Sequence, residues 1–245
     1  MKFEKTRVYN FEGALRGMRN PKNSWDKSDS KFLHNCIPYD PFEVDISEIH
    51  IQIFNEDVDE FDCVAIGKND MELAQRLIRA GGEHRKFLRQ IFVSVDITAP
   101  LYWWKEYDTY KVGTTANSTS TMHKITSKPI TLECFETDDY EPGLGLIDDC
   151  NIGIRVDCFI DDLEQLRQKF LMTNDLRYWK ELIRWLPASY LQKRTATLNY
   201  ENILSMVRQR TGHKLSEWSG NADNLNSFIK WAHTLPFAND FIFIK

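Results

Sequence analysis

Apolar and polar residues alternate along this chain with two different periods, and the switches between them predict its elements. Between Phe42 and Phe54, Val44, Ile46, Ile49, Ile51 and Ile53 fall against polar neighbours, which predicts a strand or two. The period then lengthens. Met71, Ala74, Leu77 and Ile78 make one helical stripe within Asn69–Gly81, with Asn69 and Glu72 as a capping box and Gly81 as the stop. Phe92–Ile97 returns to alternation, with Val93, Val95 and Ile97 on one face. Pro100 stands where helices begin, and a helix is expected to about Tyr110, ended by Gly113.

Further helices are predicted from Asp161, boxed with Glu164, to about Met172 and from Asn174 to before Leu186-Pro187. Two more run from Asn199 through Arg210 to the stop at Gly212, and from Asn221 to His233; Phe241–Ile244 reads as a terminal strand. Residues 10–42 show few periodic apolar positions and read as a long ordered loop or ligand-contacting arm. Its cations Arg16, Arg19, Lys22, Lys27 and Lys31 either meet a phosphate or face solvent. Residues 113–155 are loop-rich and acidic, and Gly143-Leu144-Gly145 is a turn rather than a phosphate cradle. The sum is an α+β chain, with an antiparallel or mixed sheet and a mostly helical second half. It reads as a single domain over 1–245, in which residues 1–65 form an N-terminal arm and strands of unknown role.

Composition narrows the chemistry. A formal charge of -5 argues against a nucleic-acid or acidic-membrane binder, because phosphate contacts need surplus Lys and Arg. Aromatic residues reach 13%, with seven Trp, which serves either a bulky core or a stacking surface for a flat ligand. The five cysteines form no close pair and the six histidines no metal-binding spacing, so neither a disulfide framework nor a metal site is expected. There is no long apolar run and no signal-peptide core, so a cytoplasmic location is expected. No hydrolase elbow, phosphate-binding loop or Cys/His nucleophile motif is present.

Two segments carry more specific information. The first runs from Ala99 to His123: the Pro100 helix start, the aromatic cluster Tyr102, Trp103, Trp104 and Tyr107, then Thr109-Tyr110-Lys111. After eight intervening residues comes Ser120, within Asn117-Ser118-Thr119-Ser120, followed by Met122-His123. The second is Leu186-Pro187, nine intervening residues, Thr197-Leu198-Asn199-Tyr200-Glu201, and a stretch from Ile203 to Arg210. This order resembles the flavin-dependent thymidylate synthase family. Its members have Arg-His-Arg, then Ser-x-Arg-Tyr, then Leu-Pro, Thr-x-Asn-x-Arg and a helix ending in Leu-x-Leu-Arg. Gly82–Ile91, with His84, is a looser echo of the family's Gly-His-x-x-x-x-Glu-His. The resemblance covers residues 82–218, inside the region 66–245.

The resemblance implies a pyrimidine deoxynucleotide substrate of the dUMP type, FAD as cofactor, and a folate one-carbon donor with NADPH. It also implies C5 methylation without an enzyme nucleophile, in a homotetramer. It places Ser120 in the catalytic position. Lys111, Asn117, Ser120 and Arg210 fall on the substrate, and Tyr110, Lys111, Asn199 and His213 on the cofactor. Four family cofactor positions, Arg, His, Arg and Arg, are Thr109, Tyr110, Lys111 and Glu201 here, so formal charge drops from +3 to 0. Each lost charge-assisted contact to phosphate removes roughly 1.5–3 kcal/mol. Independently of the family, Arg210 reads either as a phosphate ligand or as a helix-end cation worth about 0.3–1 kcal/mol against the helix dipole. Ser120 reads as a site residue or a plain turn, and His84 as a site residue or a helix-end histidine. The alternative expectation is a relative that has lost the flavin site and either binds nucleotide without catalysis or keeps only a structural role.

Overall fold

The computed structural model describes residues 1–36, 50–54, 61–138, 152–220 and 226–244. The chain begins with β1 (Lys2–Tyr9), α1 (Phe11–Arg19), β2 (Lys31–Cys36), β3 (His50–Phe54) and β4 (Phe61–Ile66). It continues through α2 (Lys68–Arg79), β5 (Phe92–Pro100), α3 (Leu101–Tyr107), β6 (Thr115–Ser118) and α4 (Thr121–Lys124). The second half holds α5 (Ile152–Thr173), α6 (Leu176–Trp185), β7 (Leu191–Asn199), α7 (Tyr200–Arg210), α8 (Ser216–Ser219), α9 (Phe228–His233) and α10 (Ala238–Phe241). One sheet has the order β1-β5-β7-β6 and a second the order β2-β4-β3, in which both pairings are antiparallel. The architecture is α+β, as the two periods imply.

The chain divides into two compact units. The larger holds Phe3–Asp96, Tyr110–Ala116 and Thr195–Lys245; the smaller holds Met1–Lys2, Ile97–Thr109 and Asn117–Arg194. In the larger unit Val93 and Val95 of β5 are fully buried, on the face the alternation assigns. The stretch expected to be a loop after residue 10 instead forms α1. Phe11, Ala14, Leu15 and Met18 fall at i, i+3, i+4 and i+7 and bury one stripe. Two glycines obscure that period by lowering helix propensity. At Gly17 a Cβ would stand 2.7 Å from Gln90 Oε1, the movable end of a long side chain.

Arg19, expected among solvent- or phosphate-facing cations, is buried. Its Nε donates to Asp70 Oδ1 at 2.6 Å, and Nη1 to the Ser24 carbonyl at 3.2 Å. The other Asp70 oxygen accepts from the Ser28 and Ser30 hydroxyls at 2.7 and 2.6 Å. Burial pushes the Asp70 carboxyl up, but hydrogen bonds from Ser30, Ser28 and Arg19 outweigh it and hold the pKa below its ordinary value. Asn69 does not cap α2. The helix starts two residues earlier, with Gly67 at its cap, and the Asp29 carboxylate accepts from the N–H groups of Asn69 and Asp70. An acid distant in sequence has taken the role expected of a local one.

Two further expectations fail in this unit. Phe241–Ile244 is not a strand: α10 ends at Phe241, and Phe241 packs its ring near those of Phe11, Phe87 and Phe237. Burial of Phe241 and Ile242 in succession is incompatible with one strand face turned to solvent. The last long helix is shorter than expected, since α9 begins at Phe228 with Ser227 as its cap; residues 221–225 lie outside the described residues. The capping of α7 by Asn199 and the stop at Gly212 (φ +73) are as expected.

In the smaller unit Trp103, Trp104 and Tyr107 are buried on α3 and meet ring to ring, so these aromatics are core. The helix ends at Tyr107, short of Tyr110. Helices α5 and α6 pack with Ile125, Ile130 and Phe135 around Ile160, Leu163 and Leu182. Asp161 and Glu164 do not open a helix, because α5 already runs through them. Glu164 instead holds Arg167 by two 2.7 Å bonds and accepts from the Ile130 N–H at 2.7 Å. Asp175, not Asn174, caps α6; Asn174 supplies the left-handed turn at φ +54. Val44, Ile46, Ile49 and the Gly143–Gly145 turn lie outside the described residues.

Candidate functional site

In the larger unit α7 fixes a short segment of chain at both of its ends. Asn199 and Asn202 exchange side-chain to backbone hydrogen bonds in a reciprocal cap, at 3.0 and 3.2 Å. The Asn202 amide then donates to the Val112 carbonyl at 2.7 Å. Gly113 has φ +77, and a Cβ there would stand 3.0 Å from Asn199 Nδ2, so only glycine fits this close approach. The Thr114 hydroxyl closes the turn on the Tyr110 carbonyl. At the other end of α7, Gln209 Oε1 accepts from the Tyr110 hydroxyl at 3.3 Å.

Arg210, the last residue of α7, is the centre of the arrangement. Its Nε donates to the Tyr110 hydroxyl at 2.9 Å, and Nη1 lies 2.9 Å from His213 Nε2. The guanidinium carbon sits 4.6 Å from the centroid of the Trp218 ring and 5.5 Å from that of Tyr110. Trp218 is fully buried, backed by Phe228 at 5.2 Å. A hydroxyl, an imidazole and an indole face thus orient the guanidinium. Such a planar, always-charged fork suits a phosphate or carboxylate. Lys111, next to Tyr110, is exposed.

The head of α7 carries the opposite charge. Glu201 stands in its first turn and is gripped by Arg85, whose Nε donates to both carboxylate oxygens at 3.1 and 2.8 Å. The two side chains are only 13% and 16% exposed. His84, the neighbour of Arg85, is exposed.

Ser120 and Asn117 belong to the smaller unit. Ser120 caps α4: its hydroxyl accepts from the His123 N–H at 3.3 Å and lies 2.8 Å from His123 Nδ1. Both side chains are exposed, as is Asn117 in β6. The Thr119 N–H donates to the Lys193 carbonyl, and the Gln192 amide to the Thr119 carbonyl, which tethers this turn. Met122-His123, standing where the resemblance has Arg-Tyr, supplies no arginine.

Of the seven residues singled out from the sequence, Tyr110, Arg210 and His213 are brought into direct contact. Asn199 is occupied by the α7 cap. Trp218, Gln209 and Arg85 were not anticipated. Trp218 had no signal beyond following His213 by five residues, whereas Arg85 could have been found by asking which cation answers Glu201. Among the described residues no cluster of His, Cys, Asp and Glu could hold a metal ion, and no helix is long and apolar enough to cross a membrane.

No family model matches this chain, and no curated protein matches it in sequence. Solved structures do match it in fold. A flavin-dependent thymidylate synthase, ThyX, from Helicobacter pylori, complexed with FAD and dUMP, superposes with a TM-score of 0.60 over 99% of this chain and 98% of that one, at 14% identity. A second Helicobacter pylori ThyX structure with FAD and dUMP gives 0.59, covering 99% and 97%, at 13% identity. The chain therefore has a ThyX-like fold.

Proposed function

We propose that this chain is a divergent flavin-dependent thymidylate synthase-like protein that binds a pyrimidine deoxynucleotide monophosphate of the dUMP type. The carrying observation is Arg210, oriented by Tyr110, His213 and Trp218, in a fold shared with proteins solved with dUMP. On this reading Arg210 and Lys111 take the phosphate; Asn117 and Ser120, in the smaller unit, are assigned to the nucleotide by the resemblance alone. The resemblance puts Ser120 in the catalytic position, and C5 methylation or a related modification, with a folate donor and NADPH, is the reaction that a bound flavin would supply. A homotetramer in the cytoplasm belongs to the same reading. The test is calorimetric titration with dUMP alongside an absorption spectrum of the purified protein. Saturable dUMP binding supports the reading; no binding of dUMP or any other pyrimidine deoxynucleotide ends it.

FAD, present in the solved neighbours, meets a poor donor set here. The Thr109 hydroxyl donates to the Glu106 carbonyl, the Tyr110 hydroxyl is held by Arg210 and Gln209, and Glu201 is a carboxylate on Arg85. Lys111 is the one cation at the four positions. These residues do not fit FAD held through its diphosphate, and no step is assigned to it. The Arg85–Glu201 pair therefore favours a second reading, nucleotide binding without flavin chemistry. Retention of a yellow cofactor on purification separates the two.

A further inference from the structure

We infer that Glu201 is a specificity residue: clasped by Arg85, its carboxylate sets the head of α7 against a diphosphate, so that the chain takes nucleoside monophosphates and discriminates against diphosphate-bearing ligands such as FAD. The inference rests on the nucleotide reading above and says which nucleotides qualify.

Arg85 Nε reaches both oxygens of Glu201, at 3.1 and 2.8 Å, so the carboxylate already occupies the guanidinium edge that a phosphate would use. The pair is mostly buried, at 13% and 16% exposure. Pulling the carboxylate away would strand a charge in a poorly solvated place, so exchange for an incoming anion is unfavourable. Nor do the neighbouring cations replace Arg85. Lys86 Nζ is 3.4 Å from Glu83, and Arg89 Nη2 donates to the Gly82 carbonyl at 3.4 Å. A Cβ on Gly82 would meet only Glu201 Oε1, at 4.0 Å, and one on Gly81 nothing within that distance, so the backbone beside the pair is uncrowded. What bars a diphosphate is therefore charge. At the far end of the same helix Arg210, held by Tyr110 and His213, takes the single phosphate on the nucleotide reading.

The experiment is calorimetric titration of the full chain with dUMP, inorganic pyrophosphate and FAD, for wild type, E201Q and the double variant R85Q/E201Q. The wild type is expected to bind dUMP at least tenfold more tightly than pyrophosphate or FAD. E201Q leaves Arg85 without its carboxylate and should gain at least tenfold in pyrophosphate affinity, with dUMP changed by less than twofold. R85Q/E201Q removes the acceptor and should return pyrophosphate to the wild-type value. Wild-type protein that binds FAD or pyrophosphate as tightly as dUMP overturns the inference whether or not the variants fold. Folded E201Q with unchanged pyrophosphate affinity overturns it as well. If the wild type ignores dUMP, the nucleotide reading fails, while the pyrophosphate gain in E201Q still reports on Glu201.

Discussion

Arg210 Nε donates to the Tyr110 hydroxyl at 2.9 Å, joining two residues 100 positions apart in the chain. Tyr110 fixes one edge of the guanidinium and Trp218 supports its face. R210A should weaken dUMP binding by at least about a hundredfold, since two charge-assisted bonds of roughly 1.5 kcal/mol or more are lost. R210K, which keeps the charge but not the fork, should fall between. Y110F removes the hydroxyl that accepts from the charged Arg210 and donates to Gln209; one charge-assisted bond of roughly 1.5 kcal/mol corresponds to a loss of about tenfold. Calorimetry on all three checks the ranking, and equal losses for R210K and R210A would show that shape matters more than charge.

The Glu164–Arg167 clasp predicts a pH effect. Hydrogen bonds from Arg167, then from the Ile130 N–H and Gln168, hold the Glu164 pKa down at about 2 against the opposing pull of burial. A carboxyl lowered on folding stabilises the protein above its unfolded pKa of about 4.3, and that stability disappears as pH falls towards 2. E164Q should therefore lose roughly 2–3 kcal/mol at pH 7 and very little near pH 2. Urea unfolding at several pH values gives the difference curve. A loss that persists unchanged at pH 2 would mean packing, not ionisation, is the cause.

Breaking the Arg19–Asp70 pair should be costlier. D70A leaves a buried guanidinium and two hydroxyls without their acceptor, and should destabilise the fold by about 3–5 kcal/mol. Chemical denaturation measures it. A change below 1 kcal/mol would mean that the surroundings of Arg19 open to water at little cost.

Periodic elements were legible in the sequence where one face alone is buried. β5 shows this in Val93, Val95 and Ile97, and α7 in its Asn199 cap and Gly212 stop. The misses share one cause, which is that the deciding partner is far away in the chain. Asp29 caps α2 from forty positions upstream, and α1 is stabilised by a buried stripe despite Gly13 and Gly17. In the site, the resemblance picked out Tyr110, Arg210 and His213. It could not show that Trp218 lies under the guanidinium or that Arg85 neutralises Glu201, because both depend on packing between segments.

The end of the chain offers a direct check on its ring cluster. Phe241 is fully buried, with the rings of Phe11, Phe87 and Phe237 about it. F241A should cost about 3–5 kcal/mol, the usual range for deleting a buried aromatic ring. Thermal unfolding followed by circular dichroism reads this. A melting temperature close to wild type would mean that the segment frays in solution.

The account stands or falls on Arg210 as the phosphate ligand of a bound nucleotide, and native mass spectrometry with added dUMP addresses that most directly. The account predicts a mass increment of one dUMP per chain in the wild type, largely absent in R210A. A wild type that carries no nucleotide, or an R210A protein that carries as much, would contradict it.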